Sequence, residues 1–308
     1  PGSYKGTSHY GGKGKGRSHA VPHLEAYHGT ETFLTEALTR EAKKRLDEAV
    51  RAGRPFFLNM AHYAVHAPFQ SDPRFAAHYK DSGKPEPAQA FATLIEGMDK
   101  SLGDLLDHLD ALGVAGNTLV LFLGENGTDA PLGEPHAVAC AAPLRGKKGT
   151  HYEGGMRVPF IVKWPGLAVP GSTNDSPVLS MDFLPTFVAA AGGAPHPDYP
   201  SDGVDFRPAL TGATLPERTL FWKFWNKDQK AARRGRYKYL SIGGHEYLFD
   251  IIADPRERGN LKDRMPEKFT ELKTAYNEWN SGMLPYDENV SSFGFTPREL
   301  ADHFGWDD

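Results

Sequence analysis

The side chains best suited to chemistry lie between residues 123 and 149. Glu125-Asn126-Gly127 puts a carboxylate beside a carboxamide, two hard oxygen donors of the kind that calcium and magnesium take. Downstream, Arg145-Gly146-Lys147-Lys148-Gly149 sets basic side chains on a backbone whose glycines leave it free to approach a ligand. Hard-cation ligands followed by an anion-binding lysine suit chemistry on a charged ester. The same residues also allow a plainer reading, an acidic turn that caps a strand. A histidine pair, His62 and His66, lies far upstream in Ala61-His62-Tyr63-Ala64-Val65-His66-Ala67-Pro68. A loop histidine alone specifies little.

These residues need elements to position them. Thr118 to Leu123 is a short apolar run that reads as a buried strand ending at Gly124, and Val158 to Val162 is a second such run before Pro165-Gly166. Phe56 to Met60 reads as another buried strand, placed just ahead of the two histidines. Glu31 to Val50 is helical: Leu34, Leu38, Ala42, Leu46 and Ala49 share one face, and Gly53 is the stop. A longer helix runs from Ala88 to Leu112, with Phe91, Leu94, Ile95, Met98, Leu102, Leu105, Leu109 and Leu112 at helical spacing and Gly113 as a left-handed cap. Strand, helix, strand predicts a parallel βαβ unit. The loops after Met60 and Leu123 would then share one sheet edge, where ligands bind in open α/β sheets. On that basis His66 and Glu125-Asn126 are expected to converge.

The stretch Leu144-Arg145-Gly146-Lys147-Lys148-Gly149-Thr150-His151-Tyr152-Glu153-Gly154-Gly155-Met156-Arg157-Val158-Pro159 resembles the formylglycine-dependent sulfatases of the alkaline-phosphatase superfamily. In that family a strand ends in Asp-Asn-Gly, and Leu-Arg-Gly-x-Lys-Gly-x-x-Tyr-Glu-Gly-Gly-x-Arg-Val-Pro follows. The likeness extends from about Phe56 to Leu261, through Met181-Asp182-Phe183-Leu184-Pro185-Thr186, Asp202-Gly203-Val204-Asp205 and Leu248-Phe249-Asp250 with Asp254-Pro255 to Asn260-Leu261. It implies an α/β fold with a central, mostly parallel sheet flanked by helices. A smaller C-terminal subdomain of antiparallel sheet plus helix would follow, dividing the chain into residues 1–215 and 216–308. The subdomain's strands are expected at Leu220 to Trp225, Arg236 to Leu240 and Glu246 to Asp250, and its helix at Pro266 to Asn280.

The resemblance also assigns roles. Lys148 matches the lysine that binds a sulfate oxygen, a mobile point charge suited to charge growing on a nonbridging oxygen. His66 fits the family's His-x-Pro histidine, which contacts the sulfate ester, and His62 does not. Glu125 and Asn126 take the place of the metal-binding Asp-Asn. The extra methylene of Glu125 moves its carboxylate by roughly 1.5 Å. Calcium tolerates this better than magnesium, so Ca²⁺ is the expected ion. His136 and His151 are expected at the mouth of the site, where they could touch the organic part of the substrate, although plain exposed loop histidines fit as well. Lys147 is expected in solvent and Arg145 in a structural pair. Cys140, the single cysteine, reads as a small buried hydrophobe, and no Cys-x-Pro-x-Arg surrounds it.

Composition narrows the rest. Charged residues make up 24% and the formal net charge is -4, which gives no case for nucleic-acid binding. One cysteine rules out an intrachain disulfide and a cysteine-cluster zinc site. No run approaches the roughly 18 apolar residues of a membrane helix. Residues 1 to 29 read as irregular and glycine-rich; Gly11-Gly12-Lys13-Gly14-Lys15-Gly16 lacks the spacing and context of a phosphate loop. No signal peptide is visible, though the resemblance implies a periplasmic or extracellular protein. The family's aspartate pair, its Cys-x-Pro-x-Arg nucleophile motif and its Lys-x-His do not occur in the sequence. The chain therefore reads as the C-terminal two thirds of a sulfuric ester hydrolase acting on sulfated glycans, and it is expected to be inert and poorly soluble alone. A superfamily phosphodiesterase or phosphonate hydrolase, and a catalytically inactive binding protein, are the alternatives.

Overall fold

A computed structural model describes residues 7, 8, 17, 18, 21, 23–67, 69–132 and 141–285. The chain forms two compact units, one of Pro1–Thr118 with Ala130–Ala137 and the other of Leu119–Asp129 with Val138–Asp308.

In the first unit, a two-residue antiparallel pair, β1 (Thr7–Ser8) and β2 (Arg17–Ser18), precedes α1 (Leu34–Arg51). A short α2 (Ala76–Tyr79) leads to the long α3 (Glu86–Ala111). Both predicted helices are present. Gly53 and Gly113 sit beyond their C-termini at φ 61° and 71°, a region where a Cβ is penalised. The buried face of α1 is Thr35, Ala37, Thr39, Ala42 and Leu46, rotated from the expected leucine stripe. Small residues there let α1 approach α3, and their polar atoms pair across the contact: the hydroxyls of Thr39 and Ser101 lie 2.6 Å apart. Asp72 is buried against the same helix, paired with the Arg74 guanidinium and donating its backbone N–H to Thr93 Oγ1.

One expected element is corrected. Phe56 to Met60 runs without regular structure and belongs to no strand, and Phe57 is 79% exposed. An apolar run becomes a buried strand only when neighbours take up its backbone groups and cover its faces. Among the described residues this segment has no ladder partner, so the parallel βαβ unit does not form there.

The second unit opens with β3 (Val120–Leu123), which pairs antiparallel with β4 (Phe160–Lys163) after a one-turn α4 (Glu153–Met156). Leu121, Phe160 and Val162 pack on the core of Phe206, Ala209 and Leu215, while Ile161 on the opposite face is 64% exposed. Next come α5 (Phe183–Ala190) and α6 (Arg207–Leu210). The Met181-Asp182-Phe183 and Asp202-Gly203-Val204 motifs meet here. The buried Asp182 carboxylate accepts from the N–H groups of Leu179 and Val204 and pairs with Arg218. A Cβ on Gly203 would stand 2.0 Å from the Met181 carbonyl oxygen, so the contact excludes any side chain.

A four-stranded antiparallel sheet follows: β5 (Thr219–Phe224), β6 (Gln229–Arg234), β7 (Tyr237–Ile242) and β8 (His245–Asp250). Three of these stand where strands are expected; β6 is an additional one. The helix α7 (Pro266–Ser281) covers one face through Leu272 and Tyr276, against Ala232, Tyr239 and Leu248. On the other face Ala231, Leu240, Ile242, Tyr247 and Phe249 close over Tyr152. That ring comes from the lysine-bearing loop, so the sheet is the floor on which the loop rests.

Candidate active site

Two backbone stretches of the second unit lie alongside each other. The Gly124 N–H donates to the Pro159 carbonyl at 3.0 Å, Gly127 to Gly155 at 2.9 Å, and Lys148 to Thr128 at 3.1 Å. The turn after β3 and the loop that ends in β4 are therefore laced together through main-chain bonds. Glycine makes this possible. A Cβ on Gly127 would come within 2.0 Å of the Gly154 carbonyl oxygen, one on Gly155 within 2.0 Å of the Thr150 carbonyl oxygen, and one on Gly154 within 2.4 Å of the Arg145 carbonyl oxygen.

Lys148 is half-buried, and its ammonium has no ion-pair or hydrogen-bond partner among the described residues. Lys147, expected in solvent, instead reaches Asp129, at 3.8 Å. The Arg145 guanidinium lies over the Tyr152 ring, 5.5 Å from its centroid. Glu125 and Asn126 are both exposed on the turn after β3. Their oxygens suit a hard cation, but two donors fall short of the six to eight that Ca²⁺ takes. Among the described residues no group of three or more His, Cys, Asp or Glu side chains is arranged to hold a metal ion.

His66 belongs to the first unit. It is exposed, and its Nδ1 donates to the Ala67 carbonyl at 2.8 Å, which directs the ring's exchangeable function to Nε2. His62, by contrast, is built in. Its Nε2 sits 2.9 Å from the Ser101 hydroxyl, and burial lowers its pKa. The strand expected to bring His66 to the same sheet edge as Glu125-Asn126 is the one that does not form.

His151 departs from its expected place at an exposed mouth. It is 8% exposed, beside Phe224, with its backbone N–H donating to Gln229. Burial, aided by the Lys238 charge, pushes its pKa down to about 3, so the ring is neutral. Buried beneath the glycine loop, the imidazole is shielded from solvent, which disfavours its charged form. His136 and Cys140 lie outside the described residues.

Sequence reasoning missed a buried ionic cluster beneath the loop. Lys238 Nζ lies 3.0 Å from Glu153 Oε1 and 2.8 Å from Glu257 Oε1, and the Glu153 N–H donates to Glu257 Oε2 at 2.6 Å. Arg157 adds a pair to Glu153 at 3.2 Å. Burial alone would raise both carboxyls. The charge and hydrogen bond of Lys238, with help from Arg157, overcome it at Glu153, which is held below its ordinary value. Glu257 is more deeply buried, and there desolvation wins and the pKa is raised. Strand parity carried the signal: Lys238 shares a face of β7 with Leu240 and Ile242, so it had to point inward and needed carboxylates to meet it.

Comparison with known proteins agrees with the loop. A family model described as Sulfatase matches residues 4–194, and one described as N-sulphoglucosamine sulphohydrolase, C-terminal, matches residues 147–279. Arylsulfatase A of Bos taurus is 32% identical over 288 residues, covering 84% of this chain and 54% of the relative. N-acetylgalactosamine-6-sulfatase of Canis lupus familiaris is 32% identical over 208 residues, 68% of this chain and 38% of the relative. Among solved structures, Ps i-CgsB has a TM-score of 0.73 at 27% identity, covering 80% of this chain and 55% of that one, and it is also solved in complex with k-i-k-neocarrahexaose. The chain spans about half the length of the curated relatives it matches.

Proposed function

Because the chain belongs to the sulfatase family, we propose that it is the part of a sulfuric ester hydrolase that carries the sulfate-gripping lysine. The observation that carries this reading is the Lys148 loop. Its backbone is laced to the turn bearing Glu125 and Asn126, and its ammonium is unpaired among the described residues. A fixed backbone with an uncommitted cation is what a site needs to meet charge that grows on a departing sulfate.

In this mechanism Lys148 binds a nonbridging sulfate oxygen and strengthens its hold as the S–O bond breaks. His66, with Nδ1 engaged by the Ala67 carbonyl, uses Nε2 to contact the ester and protonate the leaving alcohol. Glu125 and Asn126 are this chain's share of a Ca²⁺ site, the remaining ligands coming from chain outside these residues. Bound there, the ion would neutralise charge on the sulfate group. The nucleophile, a hydrated formylglycine by resemblance, likewise lies outside, since these residues contain no Cys-x-Pro-x-Arg. His151 bears on substrate only indirectly, as packing beneath the loop. His136 is proposed as a contact to the organic part of the substrate.

Sulfated glycans are the proposed substrates, supported by a relative named N-acetylgalactosamine-6-sulfatase and by the complex of Ps i-CgsB with k-i-k-neocarrahexaose. The longer protein would complete an alkaline-phosphatase-like, mostly parallel sheet around β3, with residues 216–308 as its C-terminal subdomain and a periplasmic or extracellular location. No helix among the described residues is long and apolar enough to cross a membrane.

The test is turnover by the longer protein that includes the preceding segment, offered an aryl sulfate and an aryl phosphodiester side by side. Preferred sulfate hydrolysis supports the reading, and residues 1–308 alone should show none. Preferred phosphodiester hydrolysis would move the protein to the superfamily's phosphodiesterases. No turnover of either, with sulfated glycan still bound, would make it a binding protein, the outcome that Glu125 in place of the family aspartate favours.

A further inference from the structure

Resting on the sulfate-binding role of Lys148, we infer that Gln229 is the positioning residue that aims this lysine. Gln229 opens β6, opposite Phe224 in the ladder with β5, and is 0% exposed. Its Oε1 accepts from the His151 N–H at 3.0 Å, and its Nε2 donates to the Gly149 carbonyl at 2.8 Å. A peptide N–H must meet an oxygen and a carbonyl must meet an N–H, so the two bonds fix which end of the carboxamide faces which partner.

The location gives the bond its meaning. Gly149 follows Lys148 directly and lies in a turn outside any ladder, at φ 89°. A partly buried carbonyl outside a ladder needs a donor of its own. Gln229 supplies it from a strand of the sheet rather than from the loop itself. On the other side of the lysine, the Lys148 N–H is taken by the Thr128 carbonyl at 3.1 Å. Lys148 is thus held fore and aft. The tie in front links it to the turn of Glu125 and Asn126, and the tie behind links it to β6. With no side-chain partner among the described residues, the ammonium starts from a Cα whose place is fixed by those two ties. The C-terminal sheet therefore has a share in catalysis: it sets the angle of a lysine that it does not itself contain.

The experiment uses the longer protein, with Gln229→Ala and Gln229→Glu made in both the wild-type and the Lys148→Ala backgrounds. Turnover of an aryl sulfate is measured together with hydrogen exchange at the amides of residues 148–151. Gln229→Ala should lower kcat by about 10- to 100-fold when Lys148 is present, the scale on which misplacing a catalytic group acts. In the Lys148→Ala background it should cost less than about twofold, because there is no ammonium left to aim. Gln229→Glu keeps the acceptor for His151 but turns a carboxylate on the Gly149 carbonyl. Its activity should recover as pH falls and the carboxyl becomes a donor again. Exchange at residues 148–151 should quicken at least about tenfold in both variants while β7 and β8 stay protected. Equal losses of kcat in the two backgrounds would show a merely structural glutamine and overturn the inference, as would unchanged exchange. Should the wild-type protein turn over no sulfate ester, the proposed function falls, and exchange alone still decides whether Gln229 clamps the loop.

Discussion

The N–H of Lys148 and the carbonyl of Thr128 are joined at 3.1 Å, two residues beyond Asn126. This bond makes one body of the segment that carries the cation and the turn that carries the two oxygen donors. A shift of either moves the other. Residues far apart in the sequence thereby keep a fixed spacing without any direct contact between their side chains.

Lys148→Ala in the longer protein should lower kcat for an aryl sulfate by about 10²–10³, the range for deleting one donor to a developing oxyanion. KM should change less, because the contact strengthens toward the transition state. Steady-state kinetics check this, and a loss confined to KM would remove the transition-state role.

His66→Ala should harm esters with poor leaving groups more than activated aryl sulfates, since protonation helps an alkoxide most. A leaving-group series measures the slope. Equal losses across the series would leave His66 with sulfate contact alone.

Glu125→Gln should weaken metal retention with little effect on folding, because the side chain is exposed and the packing belongs to β3 and the glycines behind it. Glu125→Asp should keep or improve activity. Elemental analysis of the purified longer protein decides the matter: full metal content in Glu125→Gln would release Glu125 from the ligand set.

Lys238→Met should destabilise the protein by about 3–5 kcal/mol, since it strands two buried carboxylates without their cation. Adding Glu153→Gln and Glu257→Gln should restore much of that loss, because no buried carboxylate is then left without its cation. Denaturant unfolding of the single and triple variants measures both. A mild effect for Lys238→Met would mean that Arg157 or water serves the carboxylates.

His151 predicts a pH dependence of known sign. Its folded pKa is about 3 against an ordinary 6.5, so the unfolded chain takes up a proton that the folded chain refuses. Stability from this group is complete above about 6.5 and is lost as pH falls toward about 3, by about 1.4 kcal/mol per pH unit inside that window. His151→Gln should flatten the fall. Thermal melts of both proteins from pH 7 to pH 4 make the comparison, and parallel curves would place His151 in water.

Much of this was legible in the sequence because the signals were local. Helical periodicity found α1 and α3, and Gly53 and Gly113 marked their ends. The chemistry-bearing loop was marked by its glycines, whose spacing encodes close backbone contacts. What failed was non-local. Phe56 to Met60 has the composition of a buried strand, but composition cannot supply the neighbour that makes it one. Gln229 to Arg234 reads as a polar stretch with two alanines, yet it is an inner strand: Ala231 and Ala232 are small because α7 and Tyr152 press on its two faces. Gln229 itself has no sequence signature, since its role depends on a carbonyl supplied by a loop eighty residues earlier.

The glycine contacts beneath Lys148 have one more consequence. Where Gly127, Gly154 and Gly155 touch, main chain meets main chain, and there are no rotamers to rearrange. Cores built from side chains soften by letting those side chains hop between wells. This one has no such freedom to release, so warming cannot loosen it in small steps. It also leaves mutation no adjustable part, because a neighbouring side chain cannot shrink to accommodate a new methyl when the obstacle is a peptide oxygen. The mount of the lysine is thus either whole or broken, and changes in substrate preference must come from the residues around it.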